Sequence, residues 1–140
     1  MSAGVWFRCF GVAPVSDYLS GSLARTAAGT LRVTPELRVN GYERVFALGD
    51  LAALPEAKMA RAAGMQADVV AANIRALVEG GELTAYQPAS PGISLPLGVR
   101  GGATYQEGIG VLDAERTAEL KGADLRTAAY VELLGLRRGQ

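Results

Sequence analysis

The sequence contains no histidine and only one cysteine, Cys9. The first absence removes the commonest general base and the commonest metal ligand. The second excludes an internal disulfide framework and a Cys-x-x-Cys redox pair, and fits a reducing compartment. No stretch approaches the roughly 20 consecutive apolar residues of a membrane helix. The start MSAGVWFRC lacks the basic flank and long apolar run of a signal peptide. A cytoplasmic protein is the expectation, with peripheral attachment at a membrane left open. Charge of one sign is missing as well: Lys and Arg number 14, and so do Asp and Glu. That balance gives no electrostatic case for nucleic acid or an anionic membrane surface. A small molecule or another protein is the expected partner, and any chemistry must come from carboxylates, lysines, hydroxyls or a bound cofactor.

With 140 residues, the chain can form one ordinary domain with a real core, or part of one. The opening GVWFRCFG reads as a buried strand ended by a turn at Gly11 and Pro14. SDYLSGSLARTAAGT offers Ser16 or Asp17 as a cap and suggests a short helix ending near Gly29. Leu31/Val33 and Leu37/Val39 alternate about Pro35, and an Asn40-Gly41 turn precedes the apolar run Val45 to Leu48. Small strands leading into a buried strand are predicted. Met59, Ala63, Ala67, Val70, Ile74 and Leu77 recur at helical spacing, with Arg61, Asp68, Arg75 and Glu79 opposite. This predicts one long helix, with that apolar stripe as its core face, ended by Gly80-Gly81. The proline- and glycine-rich stretch from Thr84 to Leu112 suits a loop feeding two short strands, and TAAYVELLGL suggests a final short helix.

The segment that carries chemistry is VFALGD and the helix after it. A buried strand would deliver Asp50 to the carboxyl edge of a sheet, where open α/β folds bind their ligands. Gly49 lets a ligand approach the main chain, and an ionised Asp50 is acceptor-only, matched to the hydroxyls of a sugar or sugar alcohol. The helix N-terminus near Lys58 and Met59 presents unpaired N–H groups and partial positive charge.

VNGYERVFALGDLAALPEAKMARAAGMQADVVAANI resembles the second FAD-binding motif of the two-dinucleotide-domain flavoprotein oxidoreductases. Among them it is most similar to the apoptosis-inducing-factor-like NAD(P)H:quinone reductases of the ferroptosis-suppressor type. GVAPVSDYL matches that family's Gly-x-x-Pro return from the NAD domain, GTLRVTPELRV its small hairpin, and ELKGADL a Lys-x-x-Asp-Leu near its end. The resemblance implies an α/β fold: part of an FAD-binding Rossmann-like domain over residues 1–80 and a small C-terminal α+β region over 81–140. It implies FAD as cofactor and NAD(P)H as co-substrate, with hydride passing through the flavin to a quinone-like acceptor.

Residue by residue, the resemblance assigns Asp50 to the ribityl chain, Gly49 to its approach, and Lys58-Met59 to the flavin end of the helix. Lys121 matches a lysine near the flavin, although Arg126 stands where an aromatic residue is expected. Gly11 is a further cofactor-approach position. The resemblance supplies no catalytic residue and no metal ligand.

The sequence departs from the family in lacking the strand with Gly-x-Gly-x-x-Gly that holds the FAD pyrophosphate, and the NAD domain. GVRGGATYQ does not have that spacing. The expected partners therefore include a missing N-terminal half or a second copy in a homodimer. The alternative reading is a truncated, non-enzymatic domain that folds alone or as a dimer and binds no flavin.

Overall fold

The structure is a computed structural model. It describes residues 4–5, 7, 13–19, 21, 23, 25–122 and 124–136. The predicted first strand, with Cys9 and Gly11, lies outside the described residues apart from isolated positions. The chain divides into two compact units, Met1–Pro88 and Ala89–Gln140.

In the first unit the alternating segments about Pro35 form a small hairpin. Thr34 N–H bonds Arg38 C=O at 2.8 Å, Leu37 N–H bonds Thr34 C=O at 2.9 Å, and Val33 bridges Val39. Leu37 takes the left-handed conformation (φ 66°), a position that hairpins of this length usually fill with glycine. The strain of roughly 1–2 kcal/mol is offset by burial, since Leu37 is completely enclosed. Around it Val70 and Tyr86 form one apolar cluster, while Leu31, Val39 and Ala47 form a second. The Asn40-Gly41 turn is closed by Tyr42 N–H to Val39 C=O at 2.9 Å, with Gly41 at φ 86°.

Helix α1, Ala60–Glu79, follows as predicted and ends at left-handed Gly80. The Gly81 N–H reaches back to Ala76 C=O at 2.8 Å, the bond that terminates many helices. Its buried face differs from the predicted stripe. Gln66, Val70 and Asn73 are buried, whereas Ala67, Ile74 and Leu77 are exposed. Hydrogen bonding decides the rotation. Asn73 Nδ2 donates to Glu36 C=O at 3.0 Å and Thr84 C=O at 2.9 Å, and its Oδ1 accepts Thr84 N–H at 2.7 Å. The amide thus fastens the hairpin and the extended segment after α1 to the helix.

The expectation of a Rossmann-like α/β fold is not met. The sheet that the described residues form is antiparallel, with three strands in the second unit. Val45 to Leu48 forms no strand; its pairings are an isolated antiparallel bridge, Arg38 to Phe46, and the backbone bonds Val39 N–H to Val45 C=O and Ala47 N–H to Leu37 C=O. A parallel bridge joins Leu31 to Ala52 and propagates no further. Parallel strands must be joined by a crossover of a dozen or more residues, and among the described residues no strand follows α1 in this unit to complete one. Between Ser16 and Gly29 the described residues form turns rather than a helix, with Gly29 N–H bonded to Thr26 C=O at 3.0 Å. That segment is too rich in serine and glycine to present an apolar stripe.

In the second unit, β1 (Gly92–Leu97), β2 (Gly101–Gln106) and β3 (Gly110–Leu112) pair in sequence order. Two strands are predicted and three are found. Helix α2, Ala114–Lys121, is absent from the sequence reading and is capped by Asp113, whose side chain accepts Arg116 N–H at 3.0 Å. Helix α3, Thr127–Leu133, is the predicted final helix.

One sheet face carries hydroxyls. Ser94 Oγ lies 2.7 Å from Thr104 Oγ1, which lies 3.0 Å from Thr117 Oγ1 on α2, and Thr117 donates to Asp113 C=O at 2.7 Å. The opposite face presents exposed Ile93, Leu95, Leu97, Tyr105 and Val111. Gly102 (φ 133°) is where helix and sheet meet: a Cβ there would lie 2.4 Å from Leu95 O and 2.9 Å from Thr117 Cγ2.

Candidate functional site

The Gly49-Asp50 pair sits in a short 3-10 turn, Gly49–Leu51, closed by Ala52 N–H to Gly49 C=O at 3.2 Å. Gly49 has φ 66°, a conformation that disfavours any side chain. A Cβ there would stand 3.7 Å from Ala63 Cβ, so the turn rests on the start of α1. Asp50 is exposed, and among the described residues its carboxylate has no hydrogen bond or ion pair. It is delivered by an extended segment and a turn, not by the edge of a parallel sheet.

Met59 is the N-cap of α1, with extended backbone and no side-chain cap. Its carbonyl accepts Ala63 N–H at 3.0 Å, and no capping side chain takes up the first-turn N–H groups, which retain their partial positive charge. Lys58 is exposed, yet its ammonium bends back to donate to Ala52 C=O. It closes the 52–58 loop on itself in this arrangement. Lys121 is the last residue of α2, half-buried, in the second unit. Gly11 lies outside the described residues. The first unit therefore brings together Gly49, Asp50 and the start of α1.

Three residues outside the sequence reading hold this turn. Gly49 N–H donates to Gln66 Oε1 at 2.6 Å; Gln66 Nε2 donates to Glu56 Oε1 at 2.7 Å; Tyr86 Oη donates to Glu56 Oε2 at 3.0 Å. Gln66 and Tyr86 are buried. Burial pushes the Tyr86 phenol pKa above its ordinary value, and the hydrogen bond to Glu56 reinforces the shift. The available signal was Gln66 and Asn73, two amides seven residues apart on the face that also carries Val70. On the hairpin side, the Thr34 hydroxyl and the Glu36 backbone amide donate to the Glu36 carboxylate and lower its pKa, with a smaller pull from Arg38.

An open groove of about 520 Å³ lies elsewhere on the first unit, lined by Phe46, Ile74, Leu77 and Val78 with Arg38, Glu43 and Arg44. Arg38 pairs with Glu36 at 3.8 Å, and Glu43 joins Arg44 in the lining, so the groove has little net charge. Among the described residues, no group of three or more acidic or cysteine side chains is placed to hold a metal ion, and no helix is long and apolar enough to cross a membrane.

No family model matches the chain. It is 39% identical over 80 residues to ferroptosis suppressor protein 1 of Taeniopygia guttata, an alignment covering 57% of this chain and 21% of that protein. It is 39% identical over 84 residues to ferroptosis suppressor protein 1 of Mus musculus, covering 59% and 22%. Over 110 residues it is 33% identical to apoptosis-inducing factor homolog B of Dictyostelium discoideum, covering 76% of this chain and 28% of that protein. The chain thus spans between 21% and 28% of the length of these relatives. The matches support a general family link to the apoptosis-inducing-factor-like and ferroptosis-suppressor proteins, and not a specific identity.

Proposed function

We propose that this chain provides the ribityl-holding part of a flavin site in an NAD(P)H-dependent flavoprotein oxidoreductase whose acceptor is quinone-like. The observation that carries the reading is the Asp50 carboxylate, exposed and unpaired among the described residues, on a positive-φ glycine turn at the start of a helix without a side-chain cap. Asp50 would accept hydrogen bonds from sugar-alcohol hydroxyls, the one exchange an ionised carboxylate makes readily with them. Gly49 leaves the main chain open to close approach. The uncapped start of α1 favours negative charge nearby, as on a reduced flavin. When bound, the flavin supplies the hydride-accepting ring, and the protein's share is positioning and electrostatics. These residues fit the ribityl and ring end of FAD. The pyrophosphate end needs a glycine-rich loop at a helix start, which this sequence does not contain. A complementary polypeptide supplying that loop is the partner this reading calls for.

Titrating the purified chain with FAD and following flavin fluorescence and the visible spectrum tests the reading. Saturable quenching that is lost in Asp50→Ala supports it. A folded chain that stays colourless and leaves flavin fluorescence unchanged refutes binding by this chain alone and supports the non-enzymatic reading.

A further inference from the structure

The Gly49 amide can only donate, and that fact sets the direction of every hydrogen bond beyond it. Because Gln66 Oε1 accepts from Gly49, Gln66 turns its NH2 toward Glu56. Glu56 must therefore accept, and its second oxygen takes the Tyr86 hydroxyl. Tyr86 is tied in turn to the hairpin, its N–H bonding Pro35 C=O at 2.8 Å. The relay runs from the hairpin through the segment after α1, the loop before α1 and α1 itself to the turn bearing Asp50. Each link is within hydrogen-bond distance, and Gln66 is 2% exposed.

A second consequence concerns Gly49. Its N–H is held by Gln66 and its C=O by Ala52, so both backbone groups are engaged within the unit. A ligand at this turn meets the Asp50 carboxylate and the bare Gly49 Cα, not a Gly49 hydrogen bond. The orientation of Asp50 then depends on how firmly the preceding peptide is held. With one hydrogen bond closing the 3-10 turn, Gln66 is the side-chain restraint on that peptide.

We propose that Gln66 is a positioning residue for the Gly49-Asp50 turn, and that Glu56, backed by Tyr86, orients Gln66. The amide of Gln66 fixes the Gly49 peptide and thereby the direction in which Asp50 presents its carboxylate to a hydroxylated ligand. Only this last step, the presentation to ligand, rests on the flavin reading. The residue itself touches no ligand in this scheme.

The test combines amide exchange with ligand titration on the full chain. Gln66→Met keeps side-chain length and helix preference while removing both hydrogen-bonding atoms. The expected result is a rise of about tenfold or more in the Gly49 amide exchange rate, the signature of a lost buried hydrogen bond. The Asp50 amide resonance should move or broaden, while amides in the middle of α1 keep their protection. FAD affinity should fall about tenfold, with Asp50→Ala as the reference for lost binding. Glu56→Leu should reproduce these effects. Glu56→Gln keeps an acceptor for Gln66 and a donor for Tyr86, so it should retain the slow Gly49 exchange. Unchanged Gly49 exchange or an unmoved Asp50 resonance in Gln66→Met overturns the proposal. So does loss of protection throughout α1, which would make Gln66 a support of the whole helix. A wild-type chain that binds no FAD but shows the exchange pattern refutes flavin binding by this chain alone and leaves Gln66 as the residue that positions the turn.

Discussion

Two adjacent residues of α1, Asn73 and Ile74, should exchange the roles that hydropathy gives them. Asn73 is 1% exposed and makes three hydrogen bonds to the backbone of Glu36 and Thr84, whereas Ile74 is 49% exposed. Replacing Asn73 by alanine removes three bonds worth about 1 kcal/mol each. Thr84 is itself exposed, so water can reach part of what is left unpaired, and alanine is the better helix former by about 0.5 kcal/mol. The net loss should be about 2 kcal/mol. Ile74→Ala removes a side chain already half in water, a loss of about 1 kcal/mol, and recovers roughly 0.4 kcal/mol in helix preference. Its net cost should be about 0.5 kcal/mol. Urea unfolding followed by far-ultraviolet circular dichroism reports on the 20 residues of α1. With a slope of about 1 kcal/mol per molar urea, Asn73→Ala should lower the midpoint by about 2 M and Ile74→Ala by about 0.5 M. Asn73→Asp separates shape from hydrogen bonding: it is isosteric but turns a carboxylate oxygen toward two carbonyls, and should cost at least as much as alanine. The reasoning fails if Ile74→Ala is the costlier change, or if Asn73→Asp is tolerated.

Gly102→Ala should destabilise the second unit by about 3 kcal/mol or more, from overpacking and an unfavourable φ; the check is loss of dispersed amide signals for residues of β1, β2 and α2. The raised Tyr86 pKa means that its contribution to stability is complete below its ordinary value near 10.0 and is lost as pH rises through the folded-state pKa. Melting temperatures between about pH 8 and 12 should therefore fall less steeply in Tyr86→Phe than in the wild type. Glu36 behaves oppositely: its lowered pKa supplies stability above the ordinary value of 4.5, lost as pH falls through the folded-state pKa. Thr34→Val, which removes the leading cause of that shift, should lower stability at neutral pH and make its further fall toward acid shallower than in the wild type.

What the sequence revealed depended on how local each signal was. Helix α1 and its stop at Gly80 were legible because period and terminator lie within one segment. The Asn40-Gly41 turn was legible for the same reason, whereas the small strands expected about Pro35 are present only as isolated bridges of a short hairpin. The face of α1 was not, since Gln66 and Asn73 are inside only because distant backbone groups need them. The run Val45 to Leu48 looks like a sheet strand because β preference reports a half-buried surface and says nothing about neighbours. Helix α2 was within reach: Asp113 before Ala-Glu-Arg is a cap followed by first-turn acid. At the candidate site, Gly49 and Asp50 were visible as a motif. The relay behind them was not, because Glu56, Gln66 and Tyr86 meet only after folding.

The hydroxyl ladder under α2 has a thermodynamic consequence. Among the described residues of the second unit, the buried ones are Thr104 and Thr117. Unfolding such an interior releases little hydrocarbon to solvent, so its heat-capacity increment should fall below the usual 12–15 cal/mol/K per residue or so. Its stability curve should be correspondingly flat, nearly indifferent to cooling. The first unit, with Leu31, Leu37, Val39 and Val70 enclosed, should show the ordinary curvature and weaken first toward low temperature.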